Sequence, residues 1–315
     1  MILMAGVVDT LPEDVMAVFT EFRTAEFATF ARDETPVAVE VIPQWQPSAA
    51  RFLVTSAIGL PNKAYNARRN PKVALLFSDP TGSGLSNPPT VLVQGDAIVS
   101  ELITWDDELA EYFRCSGSGS RPDGNGARTR SPVGSWTGTT CGQDPHHASS
   151  HPVVAGRGHD QGTRGGDPVS SVWDDTVKAI GRFPSAVLTG TDPDGYPVSV
   201  RCQPVPADGV LRVQRPAWLT VSPGPASLMS HSHDEQVWKL RGFLARGVLE
   251  TEGGEGGGLA FRPLRFTWTA GGGLRSTIKL FRGTRRAAAG YLQRRDMARP
   301  KVPWEIIKAA KERTP

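Results

Sequence analysis

The stretch FLVTSAIGLPNKAYNARRNPKVALLFSD, residues 52–79, decides how we interpret the fold. It opens with an apolar run, passes through a Gly-Leu-Pro loop and enters a polar segment over 63–70. Pro71 ends that segment, because the residue before a proline is disfavoured in a helix, and a second apolar run follows over 72–79. The stretch therefore predicts a strand, a short helix and another strand.

Flanking segments extend the same pattern. Residues 25–33, 36–46 and 50–57 are rich in Val, Phe, Ile and Thr and are bounded by Asp, Glu and Pro, which predicts consecutive antiparallel strands. Residues 90–101 predict one more strand, and residues 12–22 predict an amphipathic helix with an acidic first turn. The expected fold class is mainly β with flanking helices (α+β).

The same order of elements returns after residue 172. A helix is predicted over 173–183, and two strands joined by an Asp/Pro/Gly turn are predicted over 185–202. The later segments LRVQ, ASLMSHSHDE and FLARGVLETE resemble FLVT, VALLFSD and VLVQGDAIVSE of the first half, in the same order. This similarity predicts an internal repeat. The second copy should lack the helix, because only RPAWLTV stands between the corresponding strands.

Three side chains within residues 52–79 suit a phosphate group. Thr55 and Ser56 place two hydroxyls at a strand end, and Lys63 places a compact positive charge at a helix start, where the backbone adds partial positive charge. The same residue types are also common as ordinary strand, turn and solvated helix residues. The spacing alone therefore makes the phosphate site a hypothesis.

The Thr-Ser strand end, the lysine and the motif Asn-x-x-x-Asn-Pro-x-Val-Ala-Leu together resemble the FMN-binding split β-barrel family of pyridoxamine 5'-phosphate oxidases and related deazaflavin reductases. The resemblance covers residues 25–101, and its most specific positions are Lys63, Asn66, Asn70, Pro71, Val73 and Ala74. It implies tandem split β-barrels. The expected domains are a flavin-binding barrel over 1–114, a low-complexity segment over 115–171, a second, degenerate barrel over 172–283 and a basic helical tail over 284–315.

The resemblance also implies an activity and a cofactor site. It implies an oxidoreductase that uses FMN, or alternatively a deazaflavin, and acts on an unknown small molecule. Hydride transfer would belong to the flavin, so no catalytic side chain is predicted. The implied phosphate ligands are Thr55, Ser56 and Lys63, with Asn66 beside them, and the residues implied along the flavin ring are Val39, Glu40 and Val41.

Residues 115–171 differ in composition from the rest of the chain. They contain no Leu, Ile, Phe, Tyr, Met, Lys or Glu, so they offer little to a hydrophobic core and predict a disordered segment. A frameshift is the alternative. Similar two-part members of the family carry a segment like NPLTRRLLDWYYMR and then RWWP, and codon degeneracy permits both when residues 129–142 are read one base earlier and residues 152–166 one base later.

Two alternatives to the oxidoreductase stay open. One is a non-catalytic split-barrel protein that binds a cofactor or a haem, and the other is a frame-damaged, inactive product. Lys plus Arg total 35 against 32 Asp plus Glu, which argues against nucleic acid or a membrane surface as a partner. Three scattered cysteines without CxxC spacing fit a cytoplasmic protein, and no membrane span is predicted. We expect either a homodimer or a pseudo-dimer within one chain.

The segment HSHDE raises a separate metal hypothesis. His231 and His233 are two residues apart, so on a strand their imidazoles would share one face. The alternative is a strand end whose alternating polar residues face solvent. We expect the latter and no metal site, because no third histidine lies in the two globular halves.

We predict that the coding DNA across codons 115–171 contains three single-base slips in one direction, which together restore the reading frame. Resequencing this region measures it directly, and correcting the slips should restore a segment rich in Trp and Tyr. DNA that encodes the segment as written would contradict the frameshift and leave a genuine polar insert.

Overall fold

The computed structural model describes residues 11–100, 172–235, 237, 240–253, 257–270, 274–299 and 305. The segment 115–171, with its predicted disorder or frameshift, lies outside these residues. Within the described residues the protein is mainly β, with four α-helices of defined bounds, which agrees with the predicted α+β class.

Each half begins with a helix that leads into a hairpin. The elements of the first half are α1 (Glu13–Glu21), β1 (Ala25–Phe30), β2 (Pro36–Val41), β3 (Gln44–Gln46), β4 (Arg51–Leu53), α2 (Asn62–Arg69), β5 (Lys72–Phe77) and β6 (Val91–Asp96). The elements of the second half are α3 (Val172–Ile180), β7 (Ala186–Thr191), β8 (Pro197–Cys202), β9 (Val205–Ala207), β10 (Val210–Val213), β11 (Ser222–Ser232), β12 (Arg241–Thr251), β13 (Leu259–Ala270) and α4 (Leu274–Arg294).

The described strands form three antiparallel sheets. The first half has a four-stranded sheet in the order β2-β1-β5-β6, and β3 pairs separately with β4. The second half has a seven-stranded sheet in the order β8-β7-β11-β12-β13-β10-β9. The two sheets pack against each other through the faces that carry β1 and β2 on one side and β7, β8 and β11 on the other.

The same strand topology occurs in both halves. The order β2-β1-β5-β6 recurs as β8-β7-β11-β12, and the hairpin β3-β4 recurs as β9-β10. These are the segments whose sequences resemble each other. As predicted, no helix stands between β10 and β11, whereas α2 stands between β4 and β5. In the second half β13 joins β12 to β10, and no described strand plays this part in the first half.

Side chains of β1 alternate between two apolar environments. Ala25 and Phe27 point into the core of the first half, whereas Ala28 belongs to a smaller cluster with Val187 and Met229 of the second half. All six residues of β1 are buried. The first sheet is therefore covered on one face by its own half and on the other face by the second half. This explains why every residue of β1 is buried.

Aromatic rings hold α1 on the core of the first half. The ring of Phe19 lies 5.2 Å from Trp45, 4.8 Å from Phe52 and 5.3 Å from Phe77, measured between centroids. Tilted and edge-on pairs of this kind stabilise a core beyond the effect of buried area. The helix predicted over 12–22 therefore packs against the core of the first half through its apolar face.

Helix α4 lies over the loop that follows β4. Ala288 and Tyr291 form a small apolar cluster with Ile58, and Tyr65 of α2 packs beside it. The helix begins at Leu274, before the boundary at residue 284 that the basic composition predicts, because residues 274–283 contain no proline and continue the helix. None of the described helices is both long and apolar enough to cross a membrane.

Two glycines give opposite predictions for stability. Gly247 stands at an irregularity in the pairing of β12 with β13, and a Cβ there would overlap the carbonyl oxygen of Arg262. Gly283 lies exposed in α4, and a Cβ there would meet nothing within 4 Å. We expect Gly247→Ala to lower the free energy of unfolding by about 1–3 kcal/mol, and Gly283→Ala to raise it by up to about 1 kcal/mol. Urea unfolding measures both, and equal effects would contradict this description of the bulge.

Candidate functional site

A buried cluster of polar side chains lies where the two sheets meet. We call it the junction cluster, and it consists of Glu26, Glu40, Ser78, Arg201, His231 and His233. Glu26 and Glu40 are paired across β1 and β2, so their side chains project from the same face of the first sheet. That face is the one that Ala28 and Ala38 present to the second half.

Glu26 is the centre of the junction cluster. Its side chain is 1% exposed, and its Oε1 atom lies 2.6 Å from a guanidinium nitrogen of Arg201 and 2.6 Å from Nε2 of His231. The hydroxyl of Ser78 donates to the other carboxylate oxygen at 2.8 Å. A buried carboxylate is tolerable only when it is paired and hydrogen bonded, and here both conditions are met.

Arg201 is held in place by hydroxyl groups as well as by Glu26. Its Nε donates to Ser78 at 2.9 Å, and its Nη1 donates to the hydroxyl of Ser185 at 2.7 Å. The guanidinium therefore bridges the residue that follows β5 of the first half and the residue that precedes β7 of the second. The ion pair with Glu26 joins residues 175 positions apart in the chain.

Glu40 faces the two histidines of the second half. Its Oε2 lies 3.4 Å from Nδ1 of His231, and its Oε1 lies 3.5 Å from Nε2 of His233. The imidazole rings stand 6.0 Å apart with an angle of 15° between their planes. The side chains of His231 and His233 are 3% and 0% exposed. The expectation that these residues face solvent at a strand end is therefore wrong, because the first sheet covers that end of β11.

The electrostatic surroundings of His231 favour its charged form. Burial on its own would lower the pKa of His231, but the hydrogen bond to Glu26 and the nearby carboxylates of Glu26 and Glu40 raise it to about 9. Cys202 at the end of β8 behaves in the opposite way, since burial raises the pKa of its thiol to about 12. The thiol is therefore not a candidate nucleophile at neutral pH.

The predicted phosphate ligands lie on another part of the first half. Ser56 is buried just after β4, and its hydroxyl donates to the carbonyl of Leu60 at 3.0 Å. Thr55 is half-buried. Lys63 lies in the first turn of α2, and burial lowers the pKa of its ammonium group to about 8. Thr55 and Ser56 thus follow β4 and Lys63 begins α2, and their role as phosphate ligands stays a prediction.

Asn66 ties α2 to the first sheet. Its Nδ2 donates to the hydroxyl of Thr29 at 3.1 Å, and its Oδ1 accepts from Arg69 at 2.9 Å. These two bonds give Asn66 a structural explanation that needs no cofactor. That Asn66 lies beside a bound phosphate remains a prediction.

The three residues expected along the flavin ring point in two directions. Val39 and Val41 pack with the core of the first half, on the side where α2 contacts Thr29. Glu40 projects from the opposite face of the sheet into the junction cluster. The structure thus separates Glu40 from Lys63 instead of bringing them together.

A narrow recess lies between α2 and α4. It is lined by Ser56, Tyr65, Arg68 and Tyr291, among others, and encloses about 20 Å³, which is room for a single water molecule. Any larger group bound beside Ser56 from this side would need α4 to shift.

Glu26 and Arg201 were not predicted as site residues. A lone glutamate in the otherwise buried strand AEFATF, and a lone arginine in PVSVRC, are the two signals that could have identified them. Neither signal predicts that Glu26 and Arg201 pair with each other, because the two strands lie in different halves of the chain.

Comparison with known proteins adds no assignment. No protein-family model matches the chain, and no curated protein matches it either. The split-barrel family therefore remains an expectation from the motifs within residues 25–101.

Removal of the Arg201 charge should destabilise the protein strongly. We expect Arg201→Met to lower the free energy of unfolding by about 3–5 kcal/mol, because Glu26 would keep a buried charge with one ion partner fewer. Arg212→Met is the matched control, since Arg212 pairs with Glu252 at 3.2 Å but is half exposed, and it should cost less than about 1 kcal/mol. Denaturant unfolding measures both. Similar losses of unfolding free energy would mean that the buried pair of Arg201 and Glu26 stabilises the protein no more than an exposed pair does.

Proposed function

We propose that the protein is an oxidoreductase that binds FMN, or alternatively a deazaflavin, and acts on a small molecule. One observation carries the proposal. Lys63 holds a partly desolvated positive charge, with its pKa lowered to about 8, and no described carboxylate lies within ion-pair distance of it. A cation of this kind at a helix start, in a stretch that also supplies the hydroxyls of Thr55 and Ser56, suits a phosphate.

The residues near Lys63 fit a phosphate group in their chemistry. The hydroxyl of Thr55 is free of a described hydrogen-bond partner, and that of Ser56 is engaged only within its own loop. Helix α2 begins after Pro61 without a side-chain cap, so its first backbone N–H groups remain able to donate. Lysine, hydroxyl and amide donors together form the set that holds phosphate oxygens in many proteins.

The bound flavin would supply hydride transfer, and the chain would supply its position and surroundings. Lys63 would neutralise phosphate charge, while Thr55 and Ser56 would orient phosphate oxygens. Val39 and Val41 belong to the apolar core face of β2 and would exclude water from that side. No side chain of this set has to act as an acid or a base.

A non-catalytic binding protein is the second candidate. The coverage of Ser56 by α4 favours it, because a phosphate beside Ser56 would need α4 to shift before it could bind or leave, which suits retention of a ligand better than turnover. Both candidates share the phosphate site at Lys63. They differ in whether a bound flavin exchanges electrons with a small molecule.

Replacement of Lys63 should weaken flavin binding selectively. We expect Lys63→Ala to raise the dissociation constant for FMN at least about 10-fold, because a charge-assisted bond to phosphate is lost. Lys178→Ala is the matched control, since Lys178 is an exposed lysine of α3, and it should leave the constant unchanged. Quenching of flavin fluorescence measures the constant, with the deazaflavin cofactor titrated in parallel.

The pH dependence of binding gives a second check on Lys63. Because the pKa of Lys63 is about 8, its positive charge is lost as the pH rises through that value, so affinity for FMN should fall between about pH 7 and pH 9. Lys63→Ala should not show this fall. If the unaltered chain binds neither FMN nor a deazaflavin, the proposal is wrong. Binding without electron exchange with any donor would select the non-catalytic candidate.

A further inference from the structure

The junction cluster holds three buried polar atoms that lack a hydrogen-bond partner among the described residues. They are the two carboxylate oxygens of Glu40 and Nδ1 of His231. Unsatisfied buried polar atoms are rare, and each one costs about 1–3 kcal/mol. Two of them are the oxygens of one carboxylate, and Oε2 lies 3.4 Å from Nδ1 of His231, so a single occupant between the side chains could satisfy all three.

The hydrogen bond on the far side of each imidazole shows which of its nitrogens is directed at Glu40. Nδ1 of His233 lies 2.8 Å from the carbonyl oxygen of Asp234, and a carbonyl only accepts, so this nitrogen carries the proton. Nε2 of His233 is then an acceptor directed at Glu40. Nε2 of His231 lies 2.6 Å from the carboxylate of Glu26, so it also carries a proton.

This arrangement is the one that metal-binding histidines adopt in proteins. A ligating imidazole usually donates its other N–H to a carboxylate or to a backbone carbonyl, which orients the ring and raises the basicity of the ligating nitrogen. His231 has a carboxylate, from Glu26, in that position, and His233 has a backbone carbonyl, from Asp234.

The distances between the candidate ligand atoms also suit a metal ion. One ligand atom from each of Glu40, His231 and His233 lies within 4.8 Å of the other two. The two contacts with Glu40 are 3.4 and 3.5 Å. Two atoms that each lie about 2.1 Å from a tetrahedral zinc ion are separated by about 3.4 Å. The two contacts with Glu40 involve different carboxylate oxygens, so the ligand atoms, which are up to 4.8 Å apart, would have to move closer together around an ion.

We propose that Glu40, His231 and His233 bind a divalent first-row transition metal ion across the two halves of the protein. Two imidazoles and one carboxylate are a ligand set used for Zn²⁺ and for Fe²⁺, with at least one coordination position left to water or to another ligand. Because Glu40 belongs to β2 and the histidines lie at the end of β11, the ion would link the first sheet to the second.

A proton is a weaker explanation of the same geometry. A proton on Nδ1 of His231 could bond one oxygen of Glu40, but the other oxygen would still face the acceptor nitrogen of His233. A metal ion satisfies all three atoms. It has one local competitor, the hydroxyl of Thr24, which lies 3.1 Å from Nε2 of His233 and would have to release that nitrogen.

The test uses the whole chain, stripped with a chelator and titrated with Co²⁺ alone, whose visible absorption reports the ligands around it. We expect one Co²⁺ per chain in this site, displaced by Zn²⁺. Glu40→Gln and His233→Gln should each weaken binding at least about 10-fold. The control replaces His146, His147, His151 and His159 by Ala, which removes the other histidines of the chain and should leave this site intact.

Thermal unfolding provides a readout that remains valid if a variant is less stable. Each protein is compared with itself, with and without Zn²⁺, because an ion that binds only the folded state raises the melting temperature. The rise should occur in the unaltered chain and in Thr24→Val, where the competing hydroxyl is gone, and should be absent in Glu40→Gln. No Co²⁺ binding by the unaltered chain, or binding that survives Glu40→Gln and disappears in the four-histidine control, would overturn the proposal. None of these measurements requires a flavin.

Discussion

The buried carboxylate of Glu26 is the constraint on which the arrangement of the two halves depends. It lies on a strand that is covered on both faces, where an unpaired charge would cost several kcal/mol. Its partners Arg201 and His231 come from the second half, and only Ser78 comes from the first. The first sheet can therefore dock in few ways, because any shift of register would leave Glu26 without its cations.

An apolar cluster with three alanines on the first sheet supplies further contact between the sheets. Ala28, Ala38 and Ala74 face Val187 and Met229, so the backbones of the two sheets can approach closely. At the rim, polar contacts continue the junction: Gln94 donates to Asp192 at 2.7 Å, and the β7–β8 turn meets the side chain of Lys72. An alanine layer thus supplies contact area, while the charged cluster beside it supplies specificity of docking.

Local sequence patterns predicted the elements well and the site only in part. Strand runs, the short helix before Pro71 and the order of segments in the repeat all depend on neighbours in the chain, and the structure has them. The partners of Glu26 could not be predicted, because Arg201 lies 175 residues away. Glu40 was expected beside a flavin because it lies on the second strand, where the resemblance implies the flavin ring. Its actual neighbours, the two histidines, follow from how one sheet faces the other, which no periodicity encodes.

The short strand β9, Val205–Ala207, forms one edge of the seven-stranded sheet and carries Pro206 at its centre. A proline has no N–H to offer, and a three-residue strand presents few backbone groups. Another extended chain would therefore find little to pair with at this edge. The large sheet is in this way protected at its β9 edge against growing by the addition of strands from other molecules.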